Sequence, residues 1–219
     1  MYKDLPAIRG KYYIQRLIEE GEHEHQDFKY KISDACKIAR SISAFSNNDG
    51  GRLLVGVKDN GVIAGIRSEE DVHVIEAAAE IYCRPAVRVE MTAFQCEGGL
   101  VVLRASIPRA EARPVECREE DGSWRAYYRV ADENIAAHPL MVRTWRREYV
   151  EAADGLAFSA DEGALLQSLE SLGPVDVEQL ILHTHLSRRS AEDMIVKLAE
   201  MGLVEFVYSH QRFMVITNA

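Results

Sequence analysis

Acidic and imidazole side chains crowd one stretch, Glu22-His23-Glu24-His25-Gln26-Asp27, directly ahead of Phe28-Lys29-Tyr30-Lys31. Hard divalent cations take several oxygen ligands, and two or three carboxylates on adjacent strands can supply them. Chemistry is therefore expected where the acidic residues of the Glu22–Gly65 region meet. Glu22 and Asp27 do not share a strand face by parity, so a bend between them is required. His23 and His25 alternate with Glu22 and Glu24. No third zinc ligand is evident, and an exposed polar approach to a strand is the preferred reading. Gly50-Gly51 lacks the spacing of a phosphate-binding loop and precedes a strand, so it reads as a tight turn and not as an ATP site.

Basic residues form a second set. Lys29, Lys31, Lys37 and Arg40 lie close along the chain, and Arg109, Arg113, Arg125, Arg129, Arg143, Arg146 and Arg147 follow later. Binding to phosphate requires such groups to converge on one face. The alternative is a solvated mixed-charge surface. Near the end, Arg188 and Arg189 follow Ser187 at the start of a predicted helix, where they could touch nucleic acid.

The elements that must position these groups can be read from periodicity. Residues 7–20 place Ile8, Tyr12, Ile14, Leu17 and Ile18 on one side of a helix that stops at Gly21. Phe28, Tyr30 and Ile32 alternate with Asp27, Lys29 and Lys31 in the period of a half-buried strand, with Asp27 toward solvent. Ser33 caps a helix buried through Ala35, Ile38, Ala39, Ile42 and Phe45. Arg52–Val57 is an interior strand, Asp59-Asn60-Gly61 a tight turn, and Val62–Gly65 the returning strand. Ser68-Glu69-Glu70-Asp71 opens another helix, which Pro85 ends. Val87–Phe94 pairs with Leu100–Ile107, and a further hairpin crosses Glu119–Gly122. Pro139 starts a helix through Tyr149, and 151–157 is a linker. In the tail, Ser159-x-x-Glu162 is a capping box. Three helices and a hairpin then follow in the order of a winged helix-turn-helix.

The totals bound the class. The chain has 219 residues with 47% hydrophobic content, enough for one large domain or two modest ones. No apolar run nears the roughly 20 residues that span a bilayer. The N-terminus has no apolar signal-peptide core. Cys36, Cys83, Cys96 and Cys117 form no CxxC pair, which fits a reduced, cytoplasmic protein without a thiolate zinc site. Residues 150–219 hold 11 acidic and 4 basic side chains, a net of −7 within a total of −9. Such a tail repels phosphate unless a basic patch forms locally.

Over about residues 10–150 the ordered set Glu22, Asp27-Phe28-Lys29, Ala44-Phe45-Ser46-Asn47, Gly50-Gly51, Leu54-Val55-Gly56-Val57-Lys58-Asp59, Gly61 and Gly65 resembles the Schlafen AlbA-type domain. Tyr128-Arg129-Val130 resembles a later family element, with Ala131 where Gly is usual. The resemblance implies an α+β fold, a mixed sheet flanked by helices, and nucleic-acid binding of the kind found in transcriptional regulators. A winged helix often follows. In animal relatives three carboxylates cut structured RNA with a divalent metal. Carried over, these are Glu22, Asp27 and Asp59, which would hold Mg2+ or Mn2+. Asp27 stands where the family usually has the longer Glu. The competing reading makes Asp27 a solvent-facing strand residue and Asp59 a turn former.

These readings combine into an α+β domain over 1–150 and a winged-helix-like domain over 158–219. The leading function is a nucleic-acid-binding, regulator-like protein, with DNA or RNA as partner and no membrane. Lys29, Lys31, Arg40, Arg129, Arg188 and Arg189 are the expected contacts. The alternatives are a metal-dependent endoribonuclease built on Glu22, Asp27 and Asp59, and a protein-interaction module suggested by the acidic tail. A homodimer is implied because family members with two copies of the core pair them.

Overall fold

Helix α2, Ala35–Asn47, is the element on which the first half of the chain is built. Its N-cap is Asp34, one residue later than the expected Ser33, and the Asp34 carboxylate accepts from the Cys36 and Lys37 amides at 2.9 and 3.4 Å. From Ser41 to Asn47 every side chain is buried, polar ones included, which an amphipathic surface helix would not allow. The cause is a layer on each side of it. The computed structural model describes residues 5–66, 70–148 and 159–218. Contacts divide the chain into two units, Met1–Ala137 and His138–Ala219.

In the first unit, strands β1 (Ile8–Arg9), β2 (Gln26–Lys29), β3 (Gly51–Val55), β5 (Glu90–Gln95) and β6 (Val101–Ile107) form a mixed sheet in the order β1-β5-β6-β3-β2. β2 and β3 run parallel around α2, and the β3–β6 and β5–β6 pairs are antiparallel. One face of this sheet packs Phe28, Leu54, Phe94 and Val102 on Ile14 and Leu17 of helix α1, Lys11–Glu20. The other packs Leu53, Val55, Leu103 and Ala105 on Ile38, Ile42 and Phe45 of α2. Helix α3, Glu70–Glu80, adds Ile75, Ala78 and Ala79 to that second core.

A second sheet of β4 (Cys83–Arg84), β7 (Glu116–Arg118), β8 (Trp124–Val130) and β9 (Glu133–Ala136) is antiparallel throughout. It is fastened to α2 by polar side chains. Asn47 Nδ2 donates to Val115 O and Tyr127 O at 2.9 and 2.8 Å, and its Oδ1 accepts from Val115 N at 2.7 Å. Ser43 Oγ donates to Val115 O and accepts from Tyr127 N at 2.7 and 3.0 Å. Asn48 exchanges two 2.9 Å bonds with the backbone of Arg129. The Gly50-Gly51 corner then lets the chain leave α2. Gly50 has φ +79, and a Cβ on Gly51 would lie 2.2 Å from Phe45 Cδ1.

Several expectations change. Ile8 is exposed on a strand and not on a helix face, because Gly10 breaks the pattern and Ile8 pairs with Phe94. β2 ends at Lys29, and Gln26, Asp27 and Phe28 are all buried, so the half-exposed strand is in fact covered on both faces. Val62–Gly65 makes a single bridge, Val57 to Ile63, because the Ala64 and Gly65 amides both turn onto Gly56 O. The helix opening at Ser68-Glu69, the end at Tyr149 and the linker 151–157 lie outside the described residues.

The second unit holds α4 (Pro139–Glu148), α5 (Ala160–Leu172), α6 (Val177–Thr184) and α7 (Arg188–Glu200). Its sheet runs β10 (Val175–Asp176), β12 (Arg212–Thr217), β11 (Val204–Ser209). The capping box is present: Ser159 Oγ accepts from Glu162 N, and Glu162 Oε2 accepts from Ser159 N. Helix α4, expected within the first domain, groups with the second unit by its contacts to α7.

Candidate functional site

The bend that parity demanded between Glu22 and Asp27 is a tight loop. His23 and Gln26 exchange backbone bonds of 2.9 and 3.1 Å. The loop turns the chain from the end of α1 into β2 and brings the Glu22 carboxylate back along the strand, where Oε1 accepts from Phe28 N at 2.8 Å. Gln26, wholly buried, holds the loop in place. Its Nε2 donates to Leu17 O in the last turn of α1 and to Gly21 O at the C-cap, at 2.5 and 2.7 Å, and its Oε1 accepts from Arg52 Nε at 2.6 Å.

The loop sets two carboxyl groups side by side. Asp27 is 4% exposed, and the half-buried Glu22 carboxyl lies beside it. Burial, followed by the Asp27 carboxylate, pushes the Glu22 carboxyl above its ordinary range. Asp27 faces cations on both oxygens: Lys29 Nζ lies 2.5 Å from Oδ2, and Arg129 Nη2 lies 3.5 Å from Oδ1. Lys29 also donates to Phe28 O at 3.0 Å. Strand alternation puts Asp27 and Lys29 on one face, and α2 delivers Arg129 through the Asn48 clasp.

Arg129 is 1% exposed, stacked 4.9 Å from the Phe45 ring centre. It donates to Asn134 Oδ1 at 2.9 Å and toward Gln26 O and His23 O at 3.3 and 3.5 Å. Asn134 in turn donates to Ser41 Oγ at 3.0 Å. The expectation that Arg129 meets phosphate is therefore corrected: its guanidinium is an internal pillar joining the second sheet to β2. The reading of Asp27 as solvent-facing is corrected likewise.

The other expected residues fall elsewhere. Asp59 is exposed at the tip of the turn that Gly61 N closes onto Lys58 O, and it does not join Glu22 and Asp27. Among the described residues no three His, Cys, Asp or Glu side chains gather into a group able to hold a metal ion. Two carboxyls remain, and with Lys29 and Arg129 both on Asp27 this donor set, as it stands, does not fit a divalent cation. His25 Nδ1 meets Gly50 O at 3.1 Å, and burial, Arg52 and His25 favour the neutral form of His23. Arg40 is half-buried in a two-point pair with Glu119, which also accepts from Tyr127 Oη at 2.8 Å. Lys31 is exposed beside Tyr30.

In the second unit Arg188 forks onto Glu178 at 2.6 and 2.5 Å and lies 3.6 Å from Glu192, while Arg189 is exposed. Arg143 of α4 reaches Glu192 at 3.5 Å and pairs with Asp193, and Arg147 lies 3.4 Å from Glu200. The first turns of α7 are thus occupied by partners from α4 and α6. No helix among the described residues is long and apolar enough to cross a membrane.

Gln26, Asn48, Asn134 and Lys58 were not singled out from the sequence. For Asn48 a signal existed, the Asn-Asn pair closing a buried helix, but it also fits a turn.

A comparison with curated proteins gives no match. Among solved structures, the DIP2311 protein from Corynebacterium diphtheriae is 18% identical over 87% of this chain and 34% of its own, with a TM-score of 0.43. This chain therefore spans about a third of that protein's length. The N-terminal domain of a RecG-related protein from Nitrosomonas europaea is 19% identical over 60% of this chain and 97% of its own, with a TM-score of 0.40. A family model described as Schlafen, AlbA_2 matches residues 22–138, from the first carboxylate of the loop through the last strand of the second sheet. With more than half of its length covered, the chain belongs to the Schlafen AlbA_2 family.

Proposed function

We propose that this protein binds nucleic acid through its first unit, as a regulator-like binding protein. The observation that carries the reading is the distribution of charge around β2. The Asp27 carboxylate is turned inward and paired with Lys29 and Arg129, whereas Lys31 and Lys58 stand exposed at the C-terminal ends of the parallel strands β2 and β3. With Asp27 held inside, the two exposed lysines outweigh the neighbouring Asp59 at this strand end and favour a polyanionic partner. We read the second unit as a winged helix whose third helix serves protein contacts. Its leading arginine is paired to Glu178, and the acids of its first two turns are held by Arg143, so a DNA groove would have to displace both. The test is binding of the full chain to labelled RNA and DNA across a salt series. A steep loss of affinity with salt supports the proposal, and salt-independent or absent binding refutes it.

The apposition of Glu22 and Asp27 favours one second reading, a metal-dependent endoribonuclease in which Mg2+ or Mn2+ would require Lys29 to leave Asp27. Incubation with structured RNA and either metal decides it: cleavage abolished in Glu22→Ala establishes this reading, and intact RNA removes it.

A further inference from the structure

We infer that Tyr30, flanked by Lys31 and Lys58, is a base-stacking seat for single-stranded nucleic acid; the inference rests on the nucleic-acid-binding reading above and assigns that reading its ligand class. Tyr30 follows the last residue of β2, and Lys58 follows the segment that leaves β3. The two strands are parallel, and Gly56 N donates to Lys29 O at 2.8 Å, which pins their C-terminal ends together. Tyr30 keeps 37% of its surface exposed. Lys31 Nζ and Lys58 Nζ approach its ring from two separate segments, 5.1 and 5.3 Å from the centroid. Both lysines are exposed. The neighbouring Lys29 is excluded from the seat because Asp27 and Phe28 O hold it.

An exposed ammonium over a tyrosine ring is held weakly, and a nucleobase stacks on such a ring more strongly and without regard to its identity. A base that takes the ring face therefore displaces a lysine. The displaced ammonium, tethered a few ångströms away, is placed for the phosphate next to that base. A duplex cannot offer an unstacked base to the ring, so single strands are selected. Asp59, next along the turn from Lys58, is the local opposing charge, and its removal should strengthen binding.

The experiment is fluorescence anisotropy with the full chain and a homopyrimidine strand of roughly a dozen nucleotides, as RNA and as DNA, beside an abasic strand of equal phosphate number and a duplex. The expected results are weaker binding of the abasic strand and duplex, and an affinity about tenfold lower for Tyr30→Ala with Tyr30→Phe near wild type. Lys31→Gln and Lys58→Gln should each lower the slope of log affinity on log salt by about 0.7, and Asp59→Asn should bind more tightly. Tyr30→Phe and the lysine variants keep the test valid even if Tyr30→Ala folds poorly. Equal affinity for the abasic strand, or an unchanged Tyr30→Ala, overturns this inference and leaves general nucleic-acid binding standing. Absence of binding to every probe overturns both.

Discussion

Replacing Asn47 with alanine should come close to dismantling the first unit, although it removes one amide group. Asn47 is completely buried, and its side chain meets three backbone groups: Val115 O, Val115 N and Tyr127 O, at 2.9, 2.7 and 2.8 Å. Val115 O would keep a partner in Ser43 Oγ at 2.7 Å, so two groups, Val115 N and Tyr127 O, lose theirs between two packed layers. A buried, unsatisfied backbone group costs about 1–3 kcal/mol, so the pair amounts to about 4 kcal/mol before any cavity term. That is a large share of a domain's total stability of about 5–15 kcal/mol. With a urea m-value of about 2 kcal/mol/M, the midpoint should fall by about 2 M. The two tryptophans make the assay specific, since Trp124 lies on β8 of the first unit and Trp145 in the second. In a Trp145→Phe background, urea unfolding followed by fluorescence reports Trp124 alone. Asn47→Asp is the discriminating control: it keeps an acceptor for Val115 N but sets a carboxylate oxygen against two carbonyls, so it should do at least as much harm as alanine. A midpoint drop below about 0.5 M for Asn47→Ala would mean that water or a shift of β8 satisfies these groups, and the account of how the two sheets are joined through α2 would be wrong.

Three further predictions follow from the same geometry. Glu22 has its folded-state pKa raised above the ordinary 4.5, so its contribution to stability is fully present below that value and is lost as pH rises through the folded pKa. Glu22→Gln keeps an acceptor for Phe28 N without the ionisation; its melting temperature relative to wild type should therefore climb as pH is raised from 4.5, and a pH-independent difference would show that folding does not raise the Glu22 pKa. Gly51→Ala places a methyl 2.2 Å from Phe45 Cδ1, and overpacking should lower stability by about 1–3 kcal/mol in the same urea assay, with an unchanged midpoint counting against the close approach. In the second unit, Arg143→Ala removes a guanidinium whose side chain is 35% exposed, so its pairs with Glu192 and Asp193 contribute only about 0–1 kcal/mol; a loss above about 2 kcal/mol, read by Trp145 fluorescence, would reveal a structural role larger than surface pairing allows.

What could be read from the sequence was what local physics decides. The stripe of α2, the Ser159–Glu162 capping box, the Asp-Asn-Gly turn and the terminal hairpin each depend on neighbours within a few residues, and each formed. The short strands β1, β4, β9 and β10 carry too few residues to show a period, and their partners lie elsewhere in the chain. The carboxylate site divides along the same line. Nearness of Glu22 to Asp27 was legible as two acids with a bend required between them, and the His23–Gln26 loop supplies that bend. The state of the site was not legible. Asp27 looked solvent-facing because alternation with Phe28 implied a wet side, but that side is closed by Arg129, whose own burial depends on Asn48 and Asn134. A buried polar residue is specified by partners that hydropathy cannot locate, because only their joint geometry makes burial tolerable. Asp59 fails for the opposite reason: a turn needs an Asp at such a position whether or not a metal is present, so its residue type carried no information about Glu22. Within this fold, then, burial separates a structural carboxylate from one offered to a ligand. By that criterion Asp27 braces the molecule, and the exposed side chain at this end of β2 is Tyr30, one residue past the strand.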